Sequence, residues 1–380
     1  MKKIVEKNIE SQLRLLEEIV SIDSGSKNLE GIKAVSEVIK RELVELGFNV
    51  QLFSYEKAGN CLFADFSENS EKKILLLGHM DTVFPDGTSK KRPFKQIDGK
   101  AYGPGVLDMK GGISQMIYAL KVLKEQGIPL NRIVVLLVGD EEVGHLNSDV
   151  VSIMEKLAKT TEYVFCCESG RMDGKFVTGR KGTAGITLKA HGKASHAGSA
   201  YAKGINAILE LSHKIIRLQS FTSPDLSLTV SVGNVTGGGP INVVPDYAEA
   251  NFDVRISDFN KYKELEEKIK KLCEVPDIPG ARCEYDTWLE YPPMHENEQT
   301  QKMIDLLDII RKEKGYPPIE TCAVGGGADS SYFALYGVPV ICAFGPTGEH
   351  NHTQDEYITI DGLKERTLFL TQCLEYFLLK

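Results

Sequence analysis

The chain has 380 residues, 53 of them acidic and 45 basic, which gives a formal charge of −8. At roughly 100–200 residues per domain, this length predicts two domains or three. An apolar content of 42% excludes a mainly disordered chain, and the acidic balance argues against nucleic acid as the main partner.

The outer parts of the chain alternate between helical periodicity and short apolar runs. The predicted helices cover about 9–22, 32–46, 113–126, 303–314 and the residues from 362 onwards. The predicted strands cover 74–77, 133–138, 164–167 and 338–344. Because these strands lack the apolar–polar alternation of a half-exposed sheet, we expect a mostly parallel sheet with helices on both faces, an α/β fold.

The middle of the chain has a different pattern. Strand-like segments at 182–192, 226–235, 248–256 and 281–289 are interleaved with helical segments at 204–218 and 261–274. The order β-α-β-β-α-β is that of a ferredoxin-like α+β unit. We therefore predict a discontinuous α/β domain, residues 1–179 and 291–380, interrupted by an inserted domain, residues 180–290.

Cellular location is predicted from what the chain lacks. Acidic residues interrupt the first segment, and no apolar run approaches the roughly 18 residues of a membrane helix, so we expect neither a signal peptide nor a membrane partner. The eight cysteines are scattered without a C-x-x-C pair. This pattern is typical of reduced thiols in a cytoplasmic protein.

The residues singled out at the ends of the predicted parallel strands are all histidine, aspartate or glutamate. His79 and Asp81 follow the first strand, the acids 140–142 follow the second, Glu168 follows the third, and His352 lies beyond the last. Ligands of open parallel sheets bind at the carboxyl ends of the strands. Histidine, aspartate and glutamate are ligands of zinc, cobalt and manganese, so we predict a metal site there.

The spacing within these groups is what a metal site requires, although each group also has a structural alternative. His79 and Asp81 share a face, so the aspartate can accept a hydrogen bond from the imidazole nitrogen that is not on the metal. In isolation, a buried polar pair that closes a strand would be the favoured interpretation of these two residues. Residues 140–142 would repel one another without a cation, although a solvated acidic turn is the alternative.

A glycine-rich loop at 102–112 opens the third predicted helix. It lacks both G-x-x-x-x-G-K-[ST] and G-x-G-x-x-G, and it contains Asp108 where a phosphate would bind. The loop is therefore better suited to present a carboxylate to cations, and a nucleotide-binding function is excluded.

Together these motifs resemble the M20 metallopeptidases, with the glutamate carboxypeptidase-like subgroup the nearest. The segments that carry the resemblance are Gly78-His-Met-Asp-Thr-Val, Tyr102-Gly-Pro-Gly with Asp108-Met-Lys-Gly-Gly, Asp140-Glu-Glu-Val-Gly, Gly192-Lys-Ala-Ser-His-Ala-Gly and His352-x-x-x-Glu-Tyr. They span about residues 75–360 in order. The resemblance implies a zinc-exopeptidase-like catalytic domain with an inserted lid domain, and a homodimer formed through the lid.

The resemblance also implies a role for each site residue. One metal would be bound by His79 and Glu168 and the other by Glu142 and His352, with Asp108 bridging the two. His352 is chosen over His350 because it stands four residues before Glu356. Glu141 would be the general base, Asp81 would orient His79, and the peptide bond after Asp108 would be cis. The cofactor would be two divalent ions, zinc first, with cobalt or manganese as alternatives.

In the inserted domain, the resemblance assigns His196 to the substrate carbonyl. It assigns Asn242 and Arg255, with the backbone of Gly326 and Gly327, to the substrate's terminal carboxylate. An arginine suits a carboxylate because its planar fork pairs with both oxygens. Without the resemblance, His196 would be an ordinary turn histidine, Arg255 would pair with a nearby aspartate, and the glycines would form a structural turn.

We therefore predict a cytoplasmic two-metal hydrolase, a zinc-dependent metallopeptidase or amidohydrolase, that cleaves a peptide or N-acyl bond next to a free carboxylate. The alternatives are an N-acyl amino acid deacylase, a dipeptidase or a tripeptidase of the same family, and, more remotely, a non-catalytic metal-binding relative. Ser169 stands where many relatives have proline, and the arginine that folate-cleaving relatives have near Tyr291 is absent. A preference for glutamate is therefore not predicted.

Overall fold

The computed structural model describes residues 1–66 and 72–380. Its helices, in chain order, are α1 (Lys2–Val20), α2 (Leu29–Leu46), α3 (Thr88–Lys91), α4 (Gly111–Glu125), α5 (Val150–Ala158), α6 (Ala207–Gln219), α7 (Phe259–Glu274), α8 (Glu298–Glu313), α9 (Ser330–Leu335) and α10 (Ile360–Leu379). Its strands are β1 (Asn49–Phe53), β2 (Cys61–Asp65), β3 (Lys73–His79), β4 (Lys95–Ile97), β5 (Lys100–Tyr102), β6 (Ile133–Val138), β7 (Thr161–Cys166), β8 (Phe176–Arg180), β9 (Gly182–His191), β10 (Ser195–His196), β11 (Leu228–Gly237), β12 (Val243–Val244), β13 (Tyr247–Ile256), β14 (Arg282–Tyr291), β15 (Thr321–Val324), β16 (Val340–Ile341), β17 (Gly348–Glu349) and β18 (Tyr357–Thr359).

The chain forms two compact units. The first contains Met1–Gly179, His295–Ala323 and Ala328–Lys380, and the second contains Arg180–Met294 and Val324–Gly327. The short segment Val324–Gly327, which the sequence grouped with the outer domain, therefore packs with the second unit.

The first unit is built on a six-stranded sheet in the order β1-β2-β6-β3-β7-β16. Strands β6, β3, β7 and β16 run parallel, and β2 is antiparallel to both of its neighbours. Helices α1, α2 and α10 pack around α4, whereas α5 and α9 pack together near β7 and β16. The predicted α/β architecture, a mostly parallel sheet covered by helices, is confirmed.

Local sequence explains where these elements begin and end. Helix α2 is capped at its start by Asn28, whose side chain accepts a hydrogen bond from the N–H of Gly31, and at its end by Gly47, whose φ of +98° favours glycine. Along α1, Leu13, Leu16 and Ile19 recur at helical spacing and are buried. Strand β3 is buried from Ile74 onwards because both faces of the sheet are covered.

The second unit is a four-stranded antiparallel sheet in the order β11-β13-β9-β14, with α6 and α7 packed against it. This strand order and chain path are those of a ferredoxin-like unit, as predicted. On β13, Ala250, Phe252 and Val254 are buried at every second position, in the core shared with the helices. Arg255 lies between the buried residues Val254 and Ile256 and therefore points to the other face.

All eight cysteines are free thiols, and six of them are buried. Burial raises the pKa of Cys61 and Cys373 far above the usual value of a thiol, so these side chains are protonated at neutral pH. Among the described residues, no helix combines the length and apolar character that crossing a membrane would require.

Candidate metal centre

Four segments of the first unit bring acidic and histidine side chains to one edge of the sheet. His79 is the last residue of β3, the acids 140–142 follow β6, and Glu168 follows β7 by two residues. His352 lies in the turn between β17 and β18. Because β3, β6 and β7 are parallel neighbours, their carboxyl ends meet at this edge, as the sequence predicts.

The carboxylate of Asp108 lies between two pairs of side chains. Its Oδ1 is 3.1 Å from Nε2 of His79, and the same nitrogen is 3.4 Å from Oε1 of Glu168. Its Oδ2 is 3.1 Å from Nε2 of His352, and that nitrogen is 3.4 Å from Oε2 of Glu142. Each oxygen of Asp108 thus faces one imidazole–carboxylate pair.

The loop that carries Asp108 is fixed by a second carboxylate. Glu356 accepts hydrogen bonds from the main-chain N–H groups of Gly105, Leu107 and Asp108, at 3.0, 2.8 and 3.0 Å. The Asp108–Met109 peptide bond is cis, as the resemblance implies. In the sequence, Glu356 was used only to choose His352 over His350. The structure shows that Glu356 also orients the loop that carries Asp108.

The donor set fits two divalent cations. Ligand atoms of His79, Asp108 and Glu142 all lie within 4.8 Å of one another, and Oε1 of Glu142 is buried without a hydrogen-bond partner in the described residues. Hydrogen bonds to Asp108 and Glu142 raise the pKa of His352 to about 10. The carboxylates therefore stabilise a positive charge next to them. Divalent cations would supply that charge and displace the proton.

Glu141, the residue before Glu142, is buried and belongs to neither imidazole–carboxylate pair. Burial, followed by the charges of Glu168, Asp329 and Glu142, raises its pKa well above the usual value, and His79 opposes the shift. A carboxylate with a raised pKa beside a metal site is suited to accept and return a proton.

Asp81 makes contacts that the sequence did not predict. The nearest acceptor for Nδ1 of His79 is the main-chain carbonyl of Asp81, at 3.0 Å, while its carboxylate is 3.5 Å away. The carboxylate instead accepts the N–H groups of Glu141 and Glu142, each at 3.1 Å, and the hydroxyl of Ser26 at 2.7 Å. Asp81 therefore contacts both the imidazole of His79 and the acidic turn.

In the second unit, His196 and Asn242 lie on adjoining segments. His196 pairs with Val243 where β10 meets β12, and the carbonyl of Asn242 accepts the N–H of Ala197 at 2.9 Å. Nδ1 of His196 accepts the N–H groups of Gly198 and Ser199, each at 3.1 Å. The proton of the neutral ring is therefore on Nε2, and the side chain is exposed.

The remaining predicted residues of the second unit have other partners. Arg255 forms a forked ion pair with Asp253, at 2.7 and 2.9 Å, which is the alternative that the sequence left open. The carbonyls of Gly326 and Gly327 accept hydrogen bonds from Arg180. A Cβ on Gly327 would lie 2.5 Å from the ring of Tyr291, so packing alone requires glycine there.

The structure adds supporting residues that the sequence did not reveal, among them Ser26, Lys110 and His145. Lys110 is buried, donates to the carbonyl of Ile22 at 2.9 Å, and has its pKa lowered to about 7 by burial. The signal that could have found Lys110 is its place in the Asp108-Met-Lys-Gly-Gly motif. Nothing in the spacing of Ser26 or His145 points to the site.

Comparison with known proteins agrees with this geometry. The sequence profile of peptidase family M20/M25/M40 matches residues 75–376. This chain belongs to that family. It is 31% identical over 359 residues to carboxypeptidase G2 of Pseudomonas sp. (strain RS-16), an alignment that covers 93% of this chain and 86% of the relative.

Two further comparisons extend the family match. A succinyl-diaminopimelate desuccinylase of Maricaulis maris (strain MCS10) is 28% identical over 357 residues, covering 89% of each chain. The crystal structure of aminopeptidase PepT from Bacillus cereus ATCC 10987 has a TM-score of 0.78 at 23% identity, covering 98% of this chain and 99% of that one. This M20 chain is thus a metal-dependent hydrolase, and its relatives differ in the bond they cleave.

Proposed function

We propose that this M20 chain is a two-metal exopeptidase of carboxypeptidase type, which cleaves a peptide or N-acyl bond next to a free carboxylate. The observation that carries the proposal is Asp108, whose two oxygens each face one imidazole–carboxylate pair at 3.1 Å. In the proposal, His79 and Glu168 would hold one ion and Glu142 and His352 the other, with Asp108 shared between them. Zinc is the first expectation, and cobalt or manganese would suit the same ligands.

Bound divalent cations would acidify water, towards a pKa of about 7, and polarise the scissile carbonyl. The carboxylate of Glu141 then accepts the proton of the attacking water and delivers it to the leaving amine. Its position supports this role, because Glu141 is buried next to Glu142 and belongs to neither imidazole–carboxylate pair. The hydrogen bonds that the N–H groups of Glu141 and Glu142 donate to Asp81 hold the base and the ligand on one turn.

His196 is proposed to donate a hydrogen bond to the substrate carbonyl oxygen as negative charge develops there. Its Nδ1 accepts two main-chain N–H groups, which leaves the ring proton on the exposed Nε2. A donor fixed in this tautomer needs no rearrangement before the reaction.

The substrate carboxylate is proposed to bind Arg255 and Asn242, with the N–H groups of Gly326 and Gly327. Arg255 would have to exchange Asp253 for the substrate. That ion pair is largely exposed, and exposed pairs contribute only about 0–1 kcal/mol, so the exchange costs little.

Space for the acyl side of the substrate is available beside Glu142. A cavity of about 520 Å³ lies between the segments 25–28 and 82–86 and extends to Glu142 and Val143. Its walls include the apolar side chains of Val83, Phe84 and Pro85. This lining supports an acyl group with an apolar part, either a peptide residue or an N-acyl substituent.

A homodimer formed through the second unit is also proposed. Helix α6 exposes Ile208, Leu209 and Ile216, and β11 is an outer strand of its sheet. Exposed apolar side chains grouped on one helix, next to an open sheet edge, are suited to pair with a second copy.

The proposed function is tested with the Glu141→Gln variant. We expect turnover to fall by about 10²–10⁴-fold, because the base is lost, while two ions per chain remain bound. Glu10→Gln, an exposed substitution on α1, is the matched control and should leave turnover unchanged. Turnover retained in Glu141→Gln would contradict the assignment of the base.

The substrate class is tested on metal-restored wild-type protein with dipeptides, tripeptides, longer peptides and N-acyl amino acids. Release of the C-terminal amino acid from longer peptides would support the carboxypeptidase assignment. Preference for N-acyl amino acids, dipeptides or tripeptides would favour the corresponding alternative. No release of any product from protein that binds two ions would favour a non-catalytic relative.

A further inference from the structure

A second buried cluster lies directly behind the acidic turn and contributes no predicted metal ligand. Nδ1 of His145 is 3.0 Å from Oδ1 of Asp140, and its Nε2 is 2.5 Å from Oδ1 of Asp329. All three side chains are almost completely buried, with 1–2% of their surface exposed. The imidazole thus bridges two carboxylates that are 189 residues apart in the sequence.

The geometry determines the charge of this imidazole. Both ring nitrogens face carboxylate oxygens at hydrogen-bond distance, and only the doubly protonated ring can donate to both. Burial alone would lower the pKa of His145, but the charges of Asp329 and Asp140 outweigh it and raise the pKa well above its usual value. The cluster is therefore a buried carboxylate–imidazolium–carboxylate bridge.

This bridge closes the turn that carries Glu141 and Glu142. The N–H of Gly144 donates to the carbonyl of Glu141 at 2.9 Å, and the N–H of His145 donates to the carbonyl of Asp140 at 3.1 Å. His145 has a φ of +58°, a left-handed conformation that a residue with a Cβ adopts only where its surroundings enforce it. The side-chain bridge supplies such surroundings.

The two ends of the turn are held by different groups. At its start, the carboxylate of Asp81 accepts the N–H groups of Glu141 and Glu142. At its end, His145 ties the turn to Asp329, which immediately precedes α9. Helix α9 packs against α5, β7 and β16, so the anchor belongs to the framework of the first unit.

We propose that His145 is a positioning residue: its bridge between Asp140 and Asp329 holds the turn in the arrangement that presents Glu142 to a metal ion and Glu141 to the substrate. The proposal rests on the proposed function for the second of these tasks. A bridge that served folding alone would affect stability without affecting the properties of folded, metal-loaded protein.

The experiment compares variants that remove the bridge with one that preserves it. His145→Gln can donate to only one carboxylate, and Asp329→Ala removes an acceptor. Asp329→Asn keeps an oxygen that can accept from Nε2. We expect the first two to lower kcat at least tenfold with KM within threefold of wild type, and Asp329→Asn to keep kcat within threefold.

Cobalt binding supplies a readout that is independent of turnover. His145→Gln and Asp329→Ala should weaken the binding of one of two Co²⁺ ions at least tenfold and alter the visible absorption of the bound cobalt, because Glu142 loses its support. Asp329→Asn should resemble wild type in both respects. If no substrate is turned over, the proposed function fails, but the cobalt comparison still decides the role of His145.

Three outcomes would overturn the proposal. Folded His145→Gln and Asp329→Ala with wild-type kcat and cobalt affinity would show that the bridge only stabilises the fold. A folded Asp329→Asn with kcat lowered tenfold would show that a hydrogen bond from Nε2 of His145 to residue 329 is not enough to position the turn. If the two removal variants do not fold, Asp329→Asn decides alone: cobalt affinity and kcat within threefold of wild type support the proposal, and a tenfold loss in either contradicts it.

Discussion

Replacing Asp81 by asparagine tests how the acidic turn is held. One oxygen of Asp81 accepts the N–H of Glu141, and the other accepts the N–H of Glu142 and the hydroxyl of Ser26. Asparagine keeps one oxygen and replaces the other with an NH₂ group. In either orientation of the amide, a buried main-chain N–H then faces another donor.

The magnitude follows from the bond that is lost. A hydrogen bond to a charged group contributes about 1.5–3 kcal/mol, and leaving a buried donor unpaired costs a similar amount. Since about 1.4 kcal/mol corresponds to a factor of ten in affinity, the ion bound by Glu142 should bind about ten- to a hundredfold more weakly. Turnover at subsaturating metal should fall in parallel with metal occupancy. At saturating metal kcat should also fall, because Glu141 is on the same turn.

The assay is a competition between the protein and a chelator for Zn²⁺ or Co²⁺, together with kcat at saturating metal. Ser26→Ala is the matched control, because it removes one bond to Asp81 but leaves both acceptors of the turn. Ser26 lines the cavity, so water can replace its hydroxyl, and we expect a loss of less than about fivefold. Folded Asp81→Asn with wild-type metal affinity and kcat would show that the carboxylate of Asp81 does not hold the turn.

Four further variants test other parts of the proposal. His196→Gln should lower kcat by about 10²–10³-fold with little effect on stability, since the side chain is exposed; steady-state kinetics and thermal unfolding check this. Asp253→Asn should lower KM by up to about fivefold by releasing Arg255, and an unchanged or higher KM would contradict the carboxylate site. Val83→Asp should raise KM for substrates with apolar acyl groups and leave acetyl substrates unaffected, as a substrate series would show. Ile216→Glu should convert a dimer into a monomer in sedimentation experiments at micromolar concentration, and a wild-type chain that is already monomeric would contradict the dimer.

The fold was largely predictable because its elements depend on local sequence. Apolar residues at helical spacing predict α1, and the uninterrupted run at 74–77 predicts a strand buried on both faces, as β3 is. The helix limits were less accurate: α2 begins at Leu29, because the side chain of Asn28 provides a cap that apolar periodicity does not reveal. The segment Val324–Gly327 packs with the second unit, and no local pattern indicated this.

At the metal centre, the sequence indicated which residues gather but not how they are arranged. Parallel strands that end in His79, the 140–142 turn and Glu168 must bring those side chains to one edge of the sheet. Each oxygen of Asp108 faces a different imidazole because Glu356, about 250 residues away in the sequence, holds the loop that carries Asp108. A spacing pattern does not carry that information.

Periodicity, residue chemistry and short motifs were enough to predict most of the secondary structure, the class of ligand atoms and the family. The groups that hold the centre in place became visible only in the folded chain. His145 contacts Asp329, Ser26 contacts Asp81, and Arg255 pairs with Asp253, one of the alternatives that the sequence left open. Such contacts are selected by burial, which makes an unpaired polar group costly, and by the packing that brings distant segments together.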